Sequence, residues 1–280
     1  MPHSPYYPKL STNITMKLSI YTTAVGLLAM TTQTSALPTP EQDAYGMIAA
    51  AATVRVMPFG ASIVEGVSLS LPSPSHDLTN PQGCWRAYLQ KALKDANTLN
   101  FDMVGSKNGP SECKLAGQVV DFDKDNEGHS GAKVQEYVAN GNLTGWLRNA
   151  NPQIIMMHVG TNDIKASRTT DQIIGDYTTL LNQMRAQNAN IQLLIMKLIP
   201  LRSGDNTKEQ VAEVPKLNDA ISKWATARTQ RNSPITVVDT YTGFNADTMT
   251  ADGTHPNEEG NKLMSSRLLK PLQDAIKVRG

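Results

Sequence analysis

Two stretches of this chain lack the polar alternation of a half-wet strand. Ile154-Ile-Met-Met-His-Val159 and Ile191–Ile199 are largely apolar runs, the second stopped by Pro200. A strand without alternation is covered on both faces, as in parallel sheets flanked by helices. Thr53–Pro58, Phe101–Val104 and Ile235–Asp239 read as three further strands. Helical spacing runs through Gln82–Asn97, Lys133–Asn149, Thr170–Asn188, Asn206–Arg231 and Pro256–Ile276. Pro215 is expected to open the main part of the fourth helix, and Pro256 to sit in the first turn of the last. Strands alternating with helices predict an α/β fold on a five-stranded parallel sheet with helices on each side.

The 280 residues carry a formal net charge of +1, with 18% charged side chains. Such a balance gives no electrostatic case for nucleic acid or an acidic membrane surface, and leaves a neutral partner such as a polysaccharide or small ester. Met16-Lys-Leu-Ser-Ile-Tyr-Thr-Thr-Ala-Val-Gly-Leu-Leu-Ala-Met30 has a positive start and an apolar stretch too short to span a bilayer. It leads to Thr34-Ser-Ala36, a small-residue context for cleavage after Ala36. Residues 1–36 are therefore read as an upstream segment and secretory signal, residues 37–52 as a leader, and residues 37–280 as one extracellular domain. Cys84 and Cys113 fit that compartment as one disulfide, worth about 3 kcal/mol for a loop of about 30 residues, and are too sparse for a metal site.

Ser68–Pro81, rich in Ser and Pro, reads as a surface loop, and Ser106–Gly131 as a long irregular, functional one. In open parallel sheets, sites lie beyond the carboxyl ends of the strands. Four sets of residues fall there: Ser62, Gly128–Gly131, Asn162, and Asp252 with His255. A hydroxyl needs a base near neutral pH, and the base needs a carboxylate to hold its tautomer. Asp252 and His255, three apart across Gly253, are spaced to meet in one tight turn. An oxyanion formed on attack needs fixed donors; the Ser62 and Gly131 backbone N–H groups and the Asn162 amide are the obvious three.

Each signal alone has a plainer reading. Gly60-Ala-Ser62 is most simply a turn, and Val64 stands where a Gly-x-Ser-x-Gly elbow has its second glycine. Asn162 and Asp163 equally suit turn or N-cap positions, and His255 a cap of the last helix. His129 is expected in a wet loop and His158 in a strand. Asp121-Phe-Asp123-Lys-Asp125 has calcium-loop spacing without the glycine at the sixth position or the glutamate at the twelfth. Asn142-Leu-Thr144 is a glycosylation acceptor if the chain is exported.

Taken together and in order, Gly60-Ala-Ser62-Ile-Val-Glu-Gly66, Gly128-His-Ser-Gly131, Gly160-Thr-Asn162-Asp163 and Asp252-Gly-Thr-His255-Pro resemble the four blocks of the SGNH (GDSL-like) hydrolases. Gly83-Cys-Trp-Arg-Ala-Tyr-Leu, Met103-Val-Gly-Ser and Asp125-Asn-Glu-Gly-His-Ser-Gly further resemble carbohydrate esterase family 3, whose secreted fungal members include acetylxylan esterases. The resemblance implies a three-layer α/β/α, flavodoxin-like fold, no cofactor, and removal of acetyl groups from xylan. No metal site is expected, and the chain is read as a monomer although nothing in the sequence fixes its oligomeric state. The resemblance assigns Ser62 as nucleophile, His255 as base, Asp252 as its orienter, and Ser62, Gly131 and Asn162 as the oxyanion hole. The family's usual Gly-Asp-Ser is Gly-Ala-Ser here, so Ala61 bears on loop support and substrate preference rather than on the triad. Acetylated pectin, short-chain esters, or a silent carbohydrate-binding module on the same fold are the alternatives.

Overall fold

The computed structural model describes residues 52–66 and 84–279. All of them fall in one compact unit, Ala49–Gly280. The expected signal, the leader up to residue 51 and the Ser68–Pro81 loop lie outside the described residues.

The chain enters with β1 (Val54–Gly60) and turns into a single helical turn, α1 (Ser62–Glu65). After α2 (Trp85–Asp95) come β2 (Phe101–Met103), β3 (Lys107–Asn108), β4 (Lys114–Leu115), β5 (Gln118–Val119) and β6 (Asp125–Gly128). Then follow α3 (Val134–Asn140), α4 (Asn142–Ala150), β7 (Ile154–His158), α5 (Thr161–Lys165) and α6 (Thr170–Gln187). The last elements are β8 (Gln192–Met196), α7 (Lys208–Arg228), β9 (Ile235–Val238), α8 (Ala246–Met249) and α9 (Glu258–Arg279).

The five expected strands are present and parallel, in the order β2-β1-β7-β8-β9. Successive residues of the middle strands serve opposite layers. Met57, Phe59, Ile155, Met157, Leu193 and Ile195 pack under α3, α4, α6 and α7. Val54, Val56, Ile154, Met156, Leu194 and Met196 pack under α1, α2 and α9. Coverage on both faces is why these strands show no alternation, each buried aliphatic side chain contributing about 1.5–3 kcal/mol.

The sheet is wider than the five strands expected, having seven. β6 runs parallel to the upper end of β1, pairing Phe59 with Glu127 and Gly60 with Gly128, and β3 pairs antiparallel with β6. Ser106–Gly131 is thus not wholly irregular. β6 escapes a hydrophobic reading because its inward residues are polar: Asn126 and Glu127 are fully buried and held by hydrogen bonds. Its last residue must be glycine, since a Cβ on Gly128 would stand 2.2 Å from Glu65 N.

Three helix boundaries also differ. A break at Gly141 divides Lys133–Asn149 into α3 and α4. Pro215 lies inside α7, because a capping box between Thr207 and Gln210 starts that helix earlier, and Val214, Leu217 and Ile221 bury its face. Pro256 precedes α9 and bridges Thr250 instead, closing the turn that carries Asp252 and His255.

Candidate active site

Ser62 opens α1 directly beyond β1. The end of that strand is fixed from three sides: Tyr137 Oη donates to Gly60 O at 2.6 Å, His129 N donates to it at 2.9 Å, and Trp85 Nε1 donates to Ile63 O at 2.9 Å. The helix's own bonds begin with Val64 and Glu65 donating to Ala61 O, which leaves the Ser62 N–H outside them.

The stretch from Met249 to Asn257 folds back on itself, with Ala251 N donating to His255 O at 2.8 Å and Asn257 N to Met249 O at 3.0 Å. Gly253 at its tip has φ +81°, and a Cβ there would lie 2.6 Å from Asp205 Oδ2, so only glycine fits. The turn brings Asp252 Oδ2 to 2.7 Å from His255 Nδ1 and His255 Nε2 to 2.8 Å from Ser62 Oγ. Asp252 Oδ1 also accepts the backbone N–H groups of Thr254 and His255 at 3.0 and 2.8 Å. Burial opposes charge on Asp252, but the bonds from the His255 ring and these two N–H groups outweigh it and hold its pKa at about 2. A carboxylate ionised at neutral pH therefore faces Nδ1, leaving Nε2 as the acceptor toward Ser62. Lys165 Nζ donates to Thr254 Oγ1 at 2.7 Å and braces the turn from α5.

Asn162 lies in α5 beyond β7, and its Nδ2 donates to Ala132 O at 3.0 Å, one residue past Gly131. Asp163, fully buried, accepts from Val134 N at 3.0 Å and from Arg168 at 2.9 Å. Burial raises the Asp163 pKa against these two partners. The Gly160–Asp163 stretch is thereby fastened to residues 132–134. Ala61, Ser62, Gly160, Thr161, Asn162 and Thr254 line a cavity of about 10 Å³. His158 lines it too; burial lowers its pKa to about 4, which keeps the ring neutral. Among the described residues, its Nε2 and Thr161 Oγ1 have no protein partner.

His129 does not reach Ser62. It bonds Glu127 at 2.6 Å and stacks on Trp146 at 4.3 Å between ring centroids, so it is packed rather than wet. Cys84 and Cys113 are joined, with an S–S distance of 2.05 Å. Among the described residues no three His, Cys, Asp or Glu gather to hold a metal ion. Asp123 instead accepts from Met103 N and Asp125 N, and Asp125 from Asn108. No helix among them is long and apolar enough to cross a membrane.

Two residues that matter to the site gave little sign of it in the sequence. Arg86 is fully buried and donates to Val64 O, Glu65 O, Gly109 O and Lys124 O, tying α2 to α1 and to the segment before β6. Burial lowers its pKa to about 9, with Asp123 and Asp125 opposing. Glu65 reaches from α1 to Ser130. Their signals were membership of two blocks that carry the family resemblance and a charge within Cys84-Trp-Arg86 and within Ile63-Val-Glu65, each flanked by buried apolar residues, and neither signal shows what the charge holds.

Residues 59–263 match the model of the GDSL-like Lipase/Acylhydrolase family. A carbohydrate esterase family 3 structure from Talaromyces cellulolyticus is 32% identical, with TM-score 0.68, over 81% of this chain and 100% of that one. An acetyl esterase mutant solved with an acetate ion is 31% identical over the same shares, also with TM-score 0.68. The multidomain esterase of Ruminococcus flavefaciens is 25% identical over 242 residues, which is 82% of this chain and 30% of that protein's length. The matched family model spans Ser62 through His255, and these structures share the fold: the chain belongs to the GDSL-like lipase/acylhydrolase family, is similar over 81% of its length to a carbohydrate esterase family 3 structure, and is a carboxylic ester hydrolase.

Proposed function

We propose that the protein is a secreted esterase that removes acetyl groups from acetylated xylan through an acyl-enzyme on Ser62. The unbroken chain of hydrogen bonds Ser62–His255–Asp252 carries this reading. In the first step Ser62 Oγ attacks the acetyl carbonyl while His255 Nε2 takes its proton. The Ser62 and Gly131 N–H groups and the Asn162 amide receive the oxyanion. The tetrahedral intermediate collapses, the C–O bond to the sugar breaks, and His255 returns the proton to the leaving sugar oxygen. Water, deprotonated by His255, then attacks the acetyl-Ser62 carbonyl; the Ser62 Oγ–C bond breaks, His255 returns the proton to Oγ, and acetate leaves.

The substrate rests on likeness, since the similar structures include a carbohydrate esterase and an acetyl esterase. Export is supported by the charge and apolar pattern of Met16–Ala36, by the disulfide, and by exposed Asn142 and Thr144 within the Asn-x-Thr acceptor at the start of α4.

Acetate release from acetylated xylan, measured beside Ser62→Ala, tests the proposal. The parent should release acetate, and the variant should lose at least about 10⁴-fold in rate. Release that persists in the variant removes Ser62 from its role. A parent that turns over acetylated pectin or long-chain esters but not acetylxylan reassigns the substrate.

A further inference from the structure

Glu65 closes α1, three residues after Ser62. Its Oε2 accepts the Ser130 backbone N–H at 2.7 Å and the Ser130 hydroxyl at 2.5 Å, while Oε1 lies 3.5 Å from Lys107 Nζ. Ser130 immediately precedes Gly131. One carboxylate therefore spans the turn bearing Ser62 and the loop bearing Gly131. It does so where the backbones already touch, at Gly128 against Glu65. A second tie, His129 N to Gly60 O, fixes the loop's beginning. Beyond Ser130 the loop is exposed at Gly131, which has φ +79°, and is next held at Ala132, whose N–H donates to His129 O at 3.1 Å and whose carbonyl accepts from Asn162 Nδ2 at 3.0 Å. A carboxylate on the C-terminal residue of a helix gains nothing from the peptide dipoles there, so its ionised form answers to Ser130 and Lys107 rather than to α1.

We propose that Glu65 is a positioning residue that sets the separation between the Ser62 N–H and the Gly131 N–H, and so the fit of the oxyanion hole. The inference rests on the proposed assignment of those two donors. Oxyanion donors act at about 2.7–3.1 Å, and a displacement of about 1 Å costs about 10²-fold in rate. The clamp acts on the transition state, where the oxygen carries charge, so its loss falls on kcat and leaves KM nearly alone.

Two substitutions separate reach from charge. Glu65→Asp keeps the charge and withdraws the oxygens by one methylene; Glu65→Gln keeps the reach and removes the charge. With a small aryl acetate as substrate, Glu65→Asp is expected to lower kcat by about 10- to 100-fold with KM within about threefold of the parent. Glu65→Gln should recover kcat to within about threefold, because its amide oxygen still accepts the Ser130 N–H. The opposite pattern, Asp active and Gln impaired, overturns the proposal in favour of a role for charge. So does a kcat unchanged in both. Hydrogen exchange at the Ser130 amide reads the same clamp without turnover: protection should fall at least about tenfold in Glu65→Asp and persist in Glu65→Gln, and equal protection in both refutes the clamp. A parent inactive toward every acetate ester, with that exchange pattern intact, would count against the proposed activity and not against the clamp.

Discussion

Asp252 and His255 reach Ser62 from one turn of four residues, whereas Gly131 arrives at the end of a long stretch after β2 that meets the sheet only through the short strands β3 and β6. The first region takes its shape from its own backbone and from bonds between neighbours in sequence, such as His255 N to Asp252 Oδ1, with Lys165, Arg202 and Asn206 bonding its tip from outside. The second is held by distant polar groups: Arg86, Glu65, the buried Asn126 and Glu127, and the disulfide to α2. Proton transfer thus depends on a locally encoded turn, and oxyanion binding on long-range ties made by polar and covalent chemistry. The two should fail differently.

The largest effect belongs to the local turn. Asp252→Asn should lower kcat by about 10⁴-fold with little loss of fold, because the amide no longer fixes the tautomer of His255. The same carboxylate gives a pH signature. Its folded pKa of about 2 lies below the ordinary 3.8, so its contribution to stability is complete above about pH 4 and lost as the pH falls toward 2. Thermal midpoints of parent and Asp252→Asn should converge over that window; a gap that stays constant would break the assignment.

The next two effects belong to the other region and appear in stability. Arg86→Met strands several buried carbonyl oxygens and should cost about 3–5 kcal/mol in urea unfolding. A loss under 1 kcal/mol would mean that residues 106–131 hold themselves. Opening the disulfide with Cys84→Ser and Cys113→Ser should cost about 3 kcal/mol while kcat on a small ester stays within a fewfold. A collapse of kcat there would merge the two regions into one.

How far the chain was legible follows the same division. The β7 and β8 strands and the spacing of Asp252 and His255 could be read because apolar runs and a short turn are local signals. β6 could not, since Asp125-Asn-Glu-Gly has the composition of a loop and becomes a strand only through partners such as Ser106 and Gly109. Glu65 and Arg86 were hidden for the same reason: a buried charge is defined by what surrounds it. Pro215 misled because a cap eight residues earlier outweighs one lost hydrogen bond.

The smallest effect tests Ala61, where the sequence departs from Gly-Asp-Ser. Ala61→Asp would press a carboxylate against the water-sized cavity lined by His158 and Thr161, and should lower stability by about 1 kcal/mol. It should also move the titration of His158, followed by its ring proton signals, upward from about 4. Unchanged stability with His158 unmoved would show that the new carboxylate turns away from this cavity.

The carbonyls of Ile63, Val64 and Glu65 are all received by Trp85 and Arg86, two adjacent side chains at the start of α2. The chain therefore departs after Glu65 and returns at Trp85 to nearly the same place, as through the two posts of a gate. The nucleophile's turn is thereby seated on the first two residues of α2, so a shift of that helix is felt at Ser62 before it is felt at Asp252 or His255.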